Sequence, residues 1–269
     1  MADPGTAESR LVSHEYLAFA HELADAAGAI LGRYYRVPIS VEYKADESPV
    51  TIADREAERA MRDLIRTRLP DHGIEGEEFA TEHHDADLVW SLDPIDGTKA
   101  FVVGRPTFGT LISLLQRGKP VLGIIDQCVL GERWVGAVGQ PSTFNRGVIR
   151  VRPCPDVAHA VLCSTSPDMF KAVEERAAFG RVVQAVKFPV YGGDCYAYGL
   201  LAMGFVDLVV EADLDLHDFA ALVPIIEGAG GVITDWLGQP LKRGSDGRVV
   251  AAGDRRVHER ALELLAQAS

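Results

Sequence analysis

Apolar residues recur at helical spacing in two segments of the first third of the chain. Between Leu17 and Leu31 they fall every three to four residues, and after Thr51 the same period continues through Ile65. Spacing of this kind places the apolar side chains on one face of a helix. Pro70 and the polar turn that follows it end the second pattern. The sequence therefore predicts two amphipathic helices, each buried by one face.

Short apolar runs replace the helical period in the middle of the chain. They are separated by Gly, Pro and charged residues, a pattern typical of strands joined by turns. The runs cover residues 88–92, 110–115, 121–125 and 134–138. We interpret this region as an antiparallel or mixed sheet.

Beyond about residue 155, apolar runs alternate with helical patterns. Strands are predicted over 160–163, 182–186, 207–211, 232–234 and 249–252, and helices over 167–178, 195–205, 217–229 and 256–266. Alternation of this kind indicates an α/β fold. The composition shifts near residues 140–155. We therefore predict a flexible tail (1–10), an α+β half (11–150) and an α/β half (151–269).

The composition narrows the choice of partners. The chain has 27 basic and 39 acidic side chains, a net charge of −12, and 47% hydrophobic residues, as in soluble globular proteins. Its negative charge repels nucleic-acid phosphates and anionic lipid. No uninterrupted apolar run reaches the roughly 18 residues of a membrane span. The four cysteines form no CxxC pair, which favours a reducing cytoplasm. A divalent metal or small cation is the more natural partner.

The most informative stretch is an apolar strand that ends in two carboxylates, Asp93 and Asp96. Pro94 between them restricts one backbone angle and Gly97 tolerates unusual ones, so the turn can aim both carboxylates and the Ile95 carbonyl at one point. That arrangement suits a hard cation. From these residues alone, an equally good interpretation makes both aspartates turn-forming and helix-capping residues.

Three further acidic residues stand near predicted element ends. Asp54 lies at the start of the second helix, Glu77 follows its end, and Asp218 comes directly after His217 at the start of a later helix. Each has an ordinary explanation as a helix-start anion or a solvated loop charge. Taken singly, none of them defines a site.

Together these residues resemble the inositol monophosphatase family of magnesium-dependent phosphomonoesterases. One family signature is matched by residues 93–98, and a second by 217–221 followed by 227–231. The resemblance extends from about residue 15 to the C-terminus. It implies the layered αβαβα sandwich that this family shares with fructose-1,6-bisphosphatases. Within the family, residues 99–112 and 191–198 look most like the histidinol-phosphate phosphatases.

The resemblance also implies a cofactor, two or three Mg²⁺ ions. Glu77, Asp93 and the carbonyl of Ile95 would hold one ion. Asp93, Asp96 and Asp218 would hold a second, and a third would share Glu77. Carboxylates that converge without cations repel each other by about 4 kcal/mol per pair at 4 Å and an effective dielectric constant of 20. The absence of a His/Cys cluster argues against zinc.

Catalytic roles follow from the same resemblance. Asp54 and Thr98 would orient and activate the attacking water, and Glu77 counts with them as a catalytic residue. The backbone N–H groups of Gly97 and Thr98 would hold the phosphate. Lys44 is either a positive charge at the rim of the site or an ordinary exposed lysine.

Substrate choice depends on two more carboxylates. In the family, the position of Glu211 contacts the leaving alcohol, and Asp194 is expected to face the same pocket, to which Asp96 and Asp218 also contribute. Two carboxylates suit a cationic phosphorylated substrate such as histidinol phosphate, with its ammonium and imidazole groups. The alternative role for Asp194 is a helix N-cap.

The resemblance thus predicts hydrolysis of L-histidinol phosphate to L-histidinol and phosphate, a step of histidine biosynthesis, by a homodimer. His217 stands where many family members carry Trp, which weakens assignment to the inositol-specific branch. The alternatives are an inositol-1-monophosphatase, a 3′-phosphoadenosine phosphatase of the same superfamily, and a metal-stabilised binding protein without turnover.

Overall fold

The computed structural model describes residues 12–38, 40–43 and 49–267. The predicted tail (1–10) and Lys44 lie outside the described residues. The helices are α1 (His14–Tyr34), α2 (Ile52–Arg68), α3 (Thr98–Val102), α4 (Val173–Ala185), α5 (Asp194–Ala202), α6 (Leu216–Phe219), α7 (Leu222–Gly228) and α8 (Arg255–Ala266). The strands are β1 (Val41–Tyr43), β2 (Pro49–Thr51), β3 (Gly73–Gly76), β4 (Leu88–Asp96), β5 (Gly109–Gln116), β6 (Lys119–Gln127), β7 (Glu132–Ala137), β8 (Thr143–Phe144), β9 (Gly147–Val148), β10 (Val161–Ser164), β11 (Phe188–Tyr191), β12 (Leu208–Glu211), β13 (Val232–Thr234) and β14 (Val249–Ala252).

Two sheets organise the described chain. The first has seven strands in sequence order from β3 to β9; β3 pairs parallel to β4 and the later pairs are antiparallel. The second has five strands in the order β11-β10-β12-β14-β13 and is mixed. The short pair β1-β2 stands apart. The predicted α/β class and the mixed character of the first sheet are confirmed.

Three apolar clusters hold the five layers of the fold together. The first joins α1 and α2 to one face of the seven-stranded sheet and includes Leu23, Met61 and Trp90. The second lies between the two sheets and is filled by α5 and α7. The third covers the far face of the second sheet with α4 and α8. The order helix, sheet, helix, sheet, helix confirms the predicted αβαβα sandwich.

Glycines in the first sheet bring α7 into direct backbone contact with it. A Cβ on Gly123 of β6 would lie 2.0 Å from the carbonyl oxygen of Ala221, and one on Gly136 of β7 would lie 2.4 Å from the amide nitrogen of Ile225. Only a residue without a side chain permits this approach. The inter-sheet helix layer therefore has a fixed position over β6 and β7.

Three predicted elements differ from the structure. The helix predicted over 167–178 begins only at Val173, and Pro167–Met169 form a separate 3-10 turn before it. Of the residues predicted as a strand at 182–186, the first four continue α4 and Val186 is its C-cap. Phe179 and Val182 are buried three residues apart on one helix face, and this tertiary packing overrides β-branched propensity. The predicted helix over 217–229 divides into α6 and α7. Pro224 has no N–H to donate to the Ala220 carbonyl, which interrupts the helical hydrogen bonds.

Among the described residues, no helix is both long and apolar enough to cross a bilayer.

Candidate active site

Three carboxylates from separate positions in the chain converge at the end of β4. Asp93, Asp96 and Asp218 each place one oxygen so that these atoms lie within 4.8 Å of one another. Residues three apart on a regular strand point to opposite faces. The pairing of β4 with β5 shifts register between Asp93 and Asp96, and this irregularity turns both side chains to the same side.

The turn after β4 has the geometry that its sequence predicts. Gly97 adopts the left-handed conformation, with φ 86° and ψ 39°, and precedes α3. Asp93 Oδ1 accepts a hydrogen bond from the amide of Ile95 at 2.9 Å. The hydroxyl of Thr98 donates to the carbonyl oxygen of Ile95 at 3.0 Å. The Ile95 carbonyl, a predicted metal ligand, therefore lies next to the Thr98 hydroxyl, which is predicted to activate the attacking water.

The carboxylates of this cluster hold protons more tightly than usual. Burial, reinforced by the charges of Glu77, Asp96 and Asp218, raises the pKa of Asp93 well above its ordinary value. Burial also raises the pKa of Asp96 and of Asp218, the latter opposed by His217. A divalent cation would relieve this repulsion, and an all-oxygen donor set is the one that Mg²⁺ prefers. The residues present fit a magnesium site.

Glu77 reaches the cluster through the parallel pairing of β3 and β4. Gly76 pairs with Leu92, and the amide of Glu77 donates to the Leu92 carbonyl at 3.1 Å. Its carboxyl group is hydrogen-bonded to that of Asp93. The predicted ligand of the first ion therefore lies beside the residue that was predicted to bridge two ions.

Asp54 lies buried at the start of α2 and uses one of its oxygens locally. Its Oδ2 accepts hydrogen bonds from the amide and the hydroxyl of Thr51, at 2.8 and 2.6 Å. Its Oδ1 is buried and has no hydrogen-bond partner among the described residues. Burial raises the pKa of Asp54 to about 6. The proposed Asp54–Thr98 relay stays a prediction, since these hydrogen bonds go to Thr51 and Ile95. Sequence reasoning missed Thr51, which the T-x-x-D capping-box spacing signals.

A cavity of about 110 Å³ joins the acidic cluster to the predicted substrate residues. It brings together four of them, Asp96, Asp194, Glu211 and Asp218. Sequence reasoning missed five of the other lining residues, Thr165, Met169, Cys195, Leu214 and Leu222, and Tyr198 completes the lining. Larger clefts of about 450 and 800 Å³ are lined by other residues and contain none of these four carboxylates.

Glu211 forms the inner wall of this cavity, at the end of β12. Its side chain accepts a hydrogen bond from the amide of Thr165 at 2.8 Å and another from the hydroxyl of Tyr198 at 2.9 Å. Burial raises its pKa to about 7, against the opposing effect of those two hydrogen bonds. A carboxyl group held this rigidly can recognise a donor on a ligand without reorganising.

Asp194 is the first residue of α5 and has a positive φ of 44°, which is unusual for a residue with a side chain. The N-cap is Gly193, with no side-chain capping hydrogen bond, so the alternative role of Asp194 as an N-cap is wrong. The Asp194 carboxyl group packs against the turn that contains Gly97: if Gly97 had a Cβ, that atom would lie 3.0 Å from the Asp194 carboxyl carbon. Burial raises its pKa to about 6, opposed by the charges of Arg105 and Lys99. Strained backbone of this kind is concentrated at functional sites.

His217 lies beside the cluster. Its Nε2 is 3.5 Å from Asp218 Oδ1, and the same carboxylate accepts a hydrogen bond from the amide of Asp215 at 2.7 Å through Oδ2. His217 also lies within ligand distance of Asp215 and Asp218. The structure therefore places His217 next to a predicted ligand.

Fold and acidic site define a metal-dependent phosphomonoesterase that acts on small phosphorylated substrates. The chain belongs to the inositol monophosphatase family, whose model matches residues 13–269. It is 51% identical over 259 residues to the chloroplastic bifunctional phosphatase IMPL2 of Arabidopsis thaliana, covering 93% of this chain and 75% of that protein. A histidinol-phosphatase of Chlorobaculum parvum is 32% identical over 236 residues, 87% of this chain and 91% of the relative. The structure of an inositol monophosphatase from Zymomonas mobilis superposes with a TM-score of 0.87 and 48% identity, over 95% of this chain and all of that one.

Proposed function

We propose that this chain hydrolyses L-histidinol phosphate to L-histidinol and phosphate, with Mg²⁺ as its cofactor. The observation that carries the proposal is the pair of carboxyl groups, Asp194 and Glu211, that share one cavity with Asp96 and Asp218. They provide negative charge beyond what phosphate hydrolysis needs. Similarity to a histidinol-phosphatase of Chlorobaculum parvum supports the same substrate.

The leaving group explains why two carboxylates would be useful. Histidinol carries an ammonium group and a titratable imidazole, both of which can donate charge-assisted hydrogen bonds. Such a bond contributes about 1.5–3 kcal/mol, which corresponds to roughly 10- to 150-fold in specificity. A neutral polyol gains much less from a buried carboxylate. Asp194 and Glu211 therefore favour a cationic phosphomonoester.

Five residues would hold the ions, two or three in number: Glu77, Asp93, Ile95 through its carbonyl, Asp96 and Asp218. When bound, Mg²⁺ supplies positive charge to the phosphoryl oxygens and the leaving group and makes water more acidic. The Oδ1 of Asp54, which has no hydrogen-bond partner among the described residues, would take a proton from the attacking water.

Around the phosphate, the backbone amides of Gly97 and Thr98 would donate hydrogen bonds to its oxygens. The Thr98 hydroxyl would leave Ile95 to orient the water. We further propose a homodimer in the cytoplasm, supported by the resemblance to the family and by four free cysteines. Size-exclusion chromatography with light scattering tests the dimer.

An inositol monophosphatase is the second candidate, because the solved structure that is 48% identical belongs to an enzyme of that kind. The test is phosphate release from histidinol phosphate, inositol 1-phosphate and 3′-phosphoadenosine 5′-phosphate, each with Mg²⁺ and with EDTA. We expect kcat/KM for histidinol phosphate to exceed the others by at least about tenfold. A preference for inositol 1-phosphate would transfer the assignment to the second candidate, and full activity in EDTA would contradict the metal mechanism.

A further inference from the structure

The ion pair of Glu58 and Arg62 is buried outside the acidic cluster. The two residues stand one turn apart on α2, with Arg62 Nε 2.7 Å from Glu58 Oε1. Their side chains are 0% and 1% exposed. Removing two charges from water costs several kcal/mol per ion, which mutual attraction alone often fails to recover. Such a pair needs further hydrogen bonds, and their partners indicate what it does.

Those hydrogen bonds go to the segment that follows β3. Glu58 Oε2 accepts from the amide of Glu78 at 2.7 Å. Arg62 donates to the carbonyl oxygens of Phe79, at 2.8 Å, and of Ala80, at 3.0 Å. Three consecutive residues are thus held through their backbones, in a segment that belongs to no helix or strand.

The same segment begins with Glu77, and Glu58 also contacts the residue before it. A Cβ on Gly76 would lie 2.1 Å from Glu58 Oε1, so the carboxylate fills the space beside this glycine. On the opposite side, the amide of Glu77 donates to Leu92 at 3.1 Å. Glu77 is therefore fixed between β4 and α2.

One face of α2 carries both this ion pair and Asp54. Asp54, Glu58 and Arg62 follow each other at intervals of four residues, and each is at most 1% exposed. Residues at this spacing lie above one another on a helix. The helix that presents Asp54 to the site therefore also sets the position of the segment with Glu77.

We propose that Glu58 and Arg62 are positioning residues that hold the Glu77 carboxylate beside Asp93, where it can bind Mg²⁺. This inference rests on the proposed function, in which Glu77 is a metal ligand. Before metal binds, Glu77 and Asp93 repel each other when both are ionised, and a loop residue would otherwise turn toward water. The ion pair keeps the ligand preorganised, in the way that outer partners orient metal ligands elsewhere.

The test uses Arg62→Lys and Glu58→Gln in the full-length protein. Lysine keeps the charge but loses the planar fork that reaches two carbonyls, and glutamine keeps the shape but loses the charge. We expect the Kd for Mg²⁺, measured by titration calorimetry without substrate, to rise about 10- to 100-fold. Hydrogen exchange over residues 77–82 should accelerate, and excess Mg²⁺ should restore much of kcat.

Asp207→Asn is the matched control, because Asp207 is also a buried carboxylate. It accepts two hydrogen bonds from Arg152, both 2.6 Å, and one from the amide of Val161 at 2.8 Å, all in the second half of the chain. This variant should lose stability without changing the Kd for Mg²⁺ more than about twofold.

Two outcomes would overturn the inference, and they differ. If Arg62→Lys and Glu58→Gln bind Mg²⁺ as Asp207→Asn does, the pair is merely structural while the proposed function stands. If the unmodified protein neither binds Mg²⁺ nor hydrolyses any phosphomonoester, the proposed function fails and the positioning role fails with it. Glu58→Gln alone decides the question if Arg62→Lys does not fold.

Discussion

We expect single carboxyl groups at this site to have opposite effects on stability and on activity. Asp93 is buried among Glu77, Asp96 and Asp218, and this burial together with their charges raises its pKa, because its charged form is unfavourable in the metal-free protein. The same crowding would favour the binding of a divalent cation. Residues of this kind are retained for function at the expense of the apoprotein's stability.

Asp93→Asn should therefore separate the two effects. We expect it to remove nearly all phosphatase activity, since the residue is the predicted bridge between two ions. We expect the metal-free variant to be more stable than the metal-free parent by about 1–4 kcal/mol, because a buried charge and its repulsion from Glu77, Asp96 and Asp218 are removed. Urea unfolding in EDTA measures the stability. Asp85→Asn, at a carboxylate 89% exposed, should change neither quantity. A destabilised apo variant would contradict the electrostatic explanation.

Asp194→Asn and Glu211→Gln test substrate recognition at the same scale. Asparagine tolerates a positive φ as aspartate does, so the first change removes charge without adding backbone strain. Each should lower kcat/KM for histidinol phosphate by about 10- to 150-fold and affect inositol 1-phosphate much less.

Asp213→Asn is the control for these substitutions, since Asp213 also has a positive φ, of 63°, but is exposed and pairs with Lys171. It should leave both substrates unaffected. Equal losses on the two substrates would mean that Asp194 and Glu211 serve the phosphate or the metal rather than the leaving group.

At the level of elements, the site depends on irregularities in otherwise ordinary structure. The register shift in β4 brings Asp93 and Asp96 to one side, and the left-handed Gly97 starts α3 immediately after them. The same sheet packs against α1 and α2 on one face. On its other face, glycines allow α7 to approach closely. α6, which carries Asp218, directly precedes α7 in the chain. The close packing of α7 therefore also sets the position of Asp218.

Gly123→Ala should show how tightly this layer is set. Its Cβ would stand 2.0 Å from the Ala221 carbonyl, a clash of backbone against backbone that no rotamer change relieves. We expect a loss of about 3 kcal/mol or more, the upper range for overpacking. Gly180→Ala is the control: at this position of α4 no described residue lies within 4 Å of an added Cβ, so helix propensity should stabilise the protein by about 0.5–1 kcal/mol. Equal thermal midpoints for the two variants would disprove the close approach.

For the whole molecule, stability should fall in mild acid partly through one buried histidine. His258 of α8 is 4% exposed and its Nε2 lies 2.9 Å from the Thr234 hydroxyl. Burial, helped by the charge of Arg255, lowers its pKa to about 4. In the unfolded chain the imidazole titrates near 6.5, so between these values the unfolded state binds more protons. Its contribution is thus complete above about pH 6.5 and is lost as the pH falls toward 4.

His258→Gln should flatten this part of the pH dependence. The free energy of unfolding of the unmodified protein should fall by at most about 3 kcal/mol more than that of the variant between pH 7 and pH 4. Urea unfolding across this range measures the difference. His84→Gln, at a side chain 74% exposed, should keep the full slope. Parallel curves for His258→Gln and the parent would exclude His258 as the cause.

The order of layers and most helices were predictable because burial patterns with a period of 3.6 are local properties of the chain. α1, α2, α5 and α8 appear within a few residues of their predicted bounds. The strand predicted at 182–186 is helical because Val182 packs against α8 and the second sheet, which no local pattern reveals. The division of the chain near residue 150 stays a prediction.

At the site, the sequence by itself determined the local turn, since Pro94 and Gly97 restrict the backbone between and after the paired carboxylates, and it predicted which residues carry the chemistry. Only the tertiary structure decided which residues meet. Asp218 joins Asp93 because α7 and the sheet pack through backbone contacts, and Asp194 faces Gly97 because α5 begins beside that turn. Glu58 and Arg62 look like an ordinary i, i+4 pair in the sequence. Their contact with residues 78–80 exists only in the folded chain, because it depends on long-range packing of a loop against a helix.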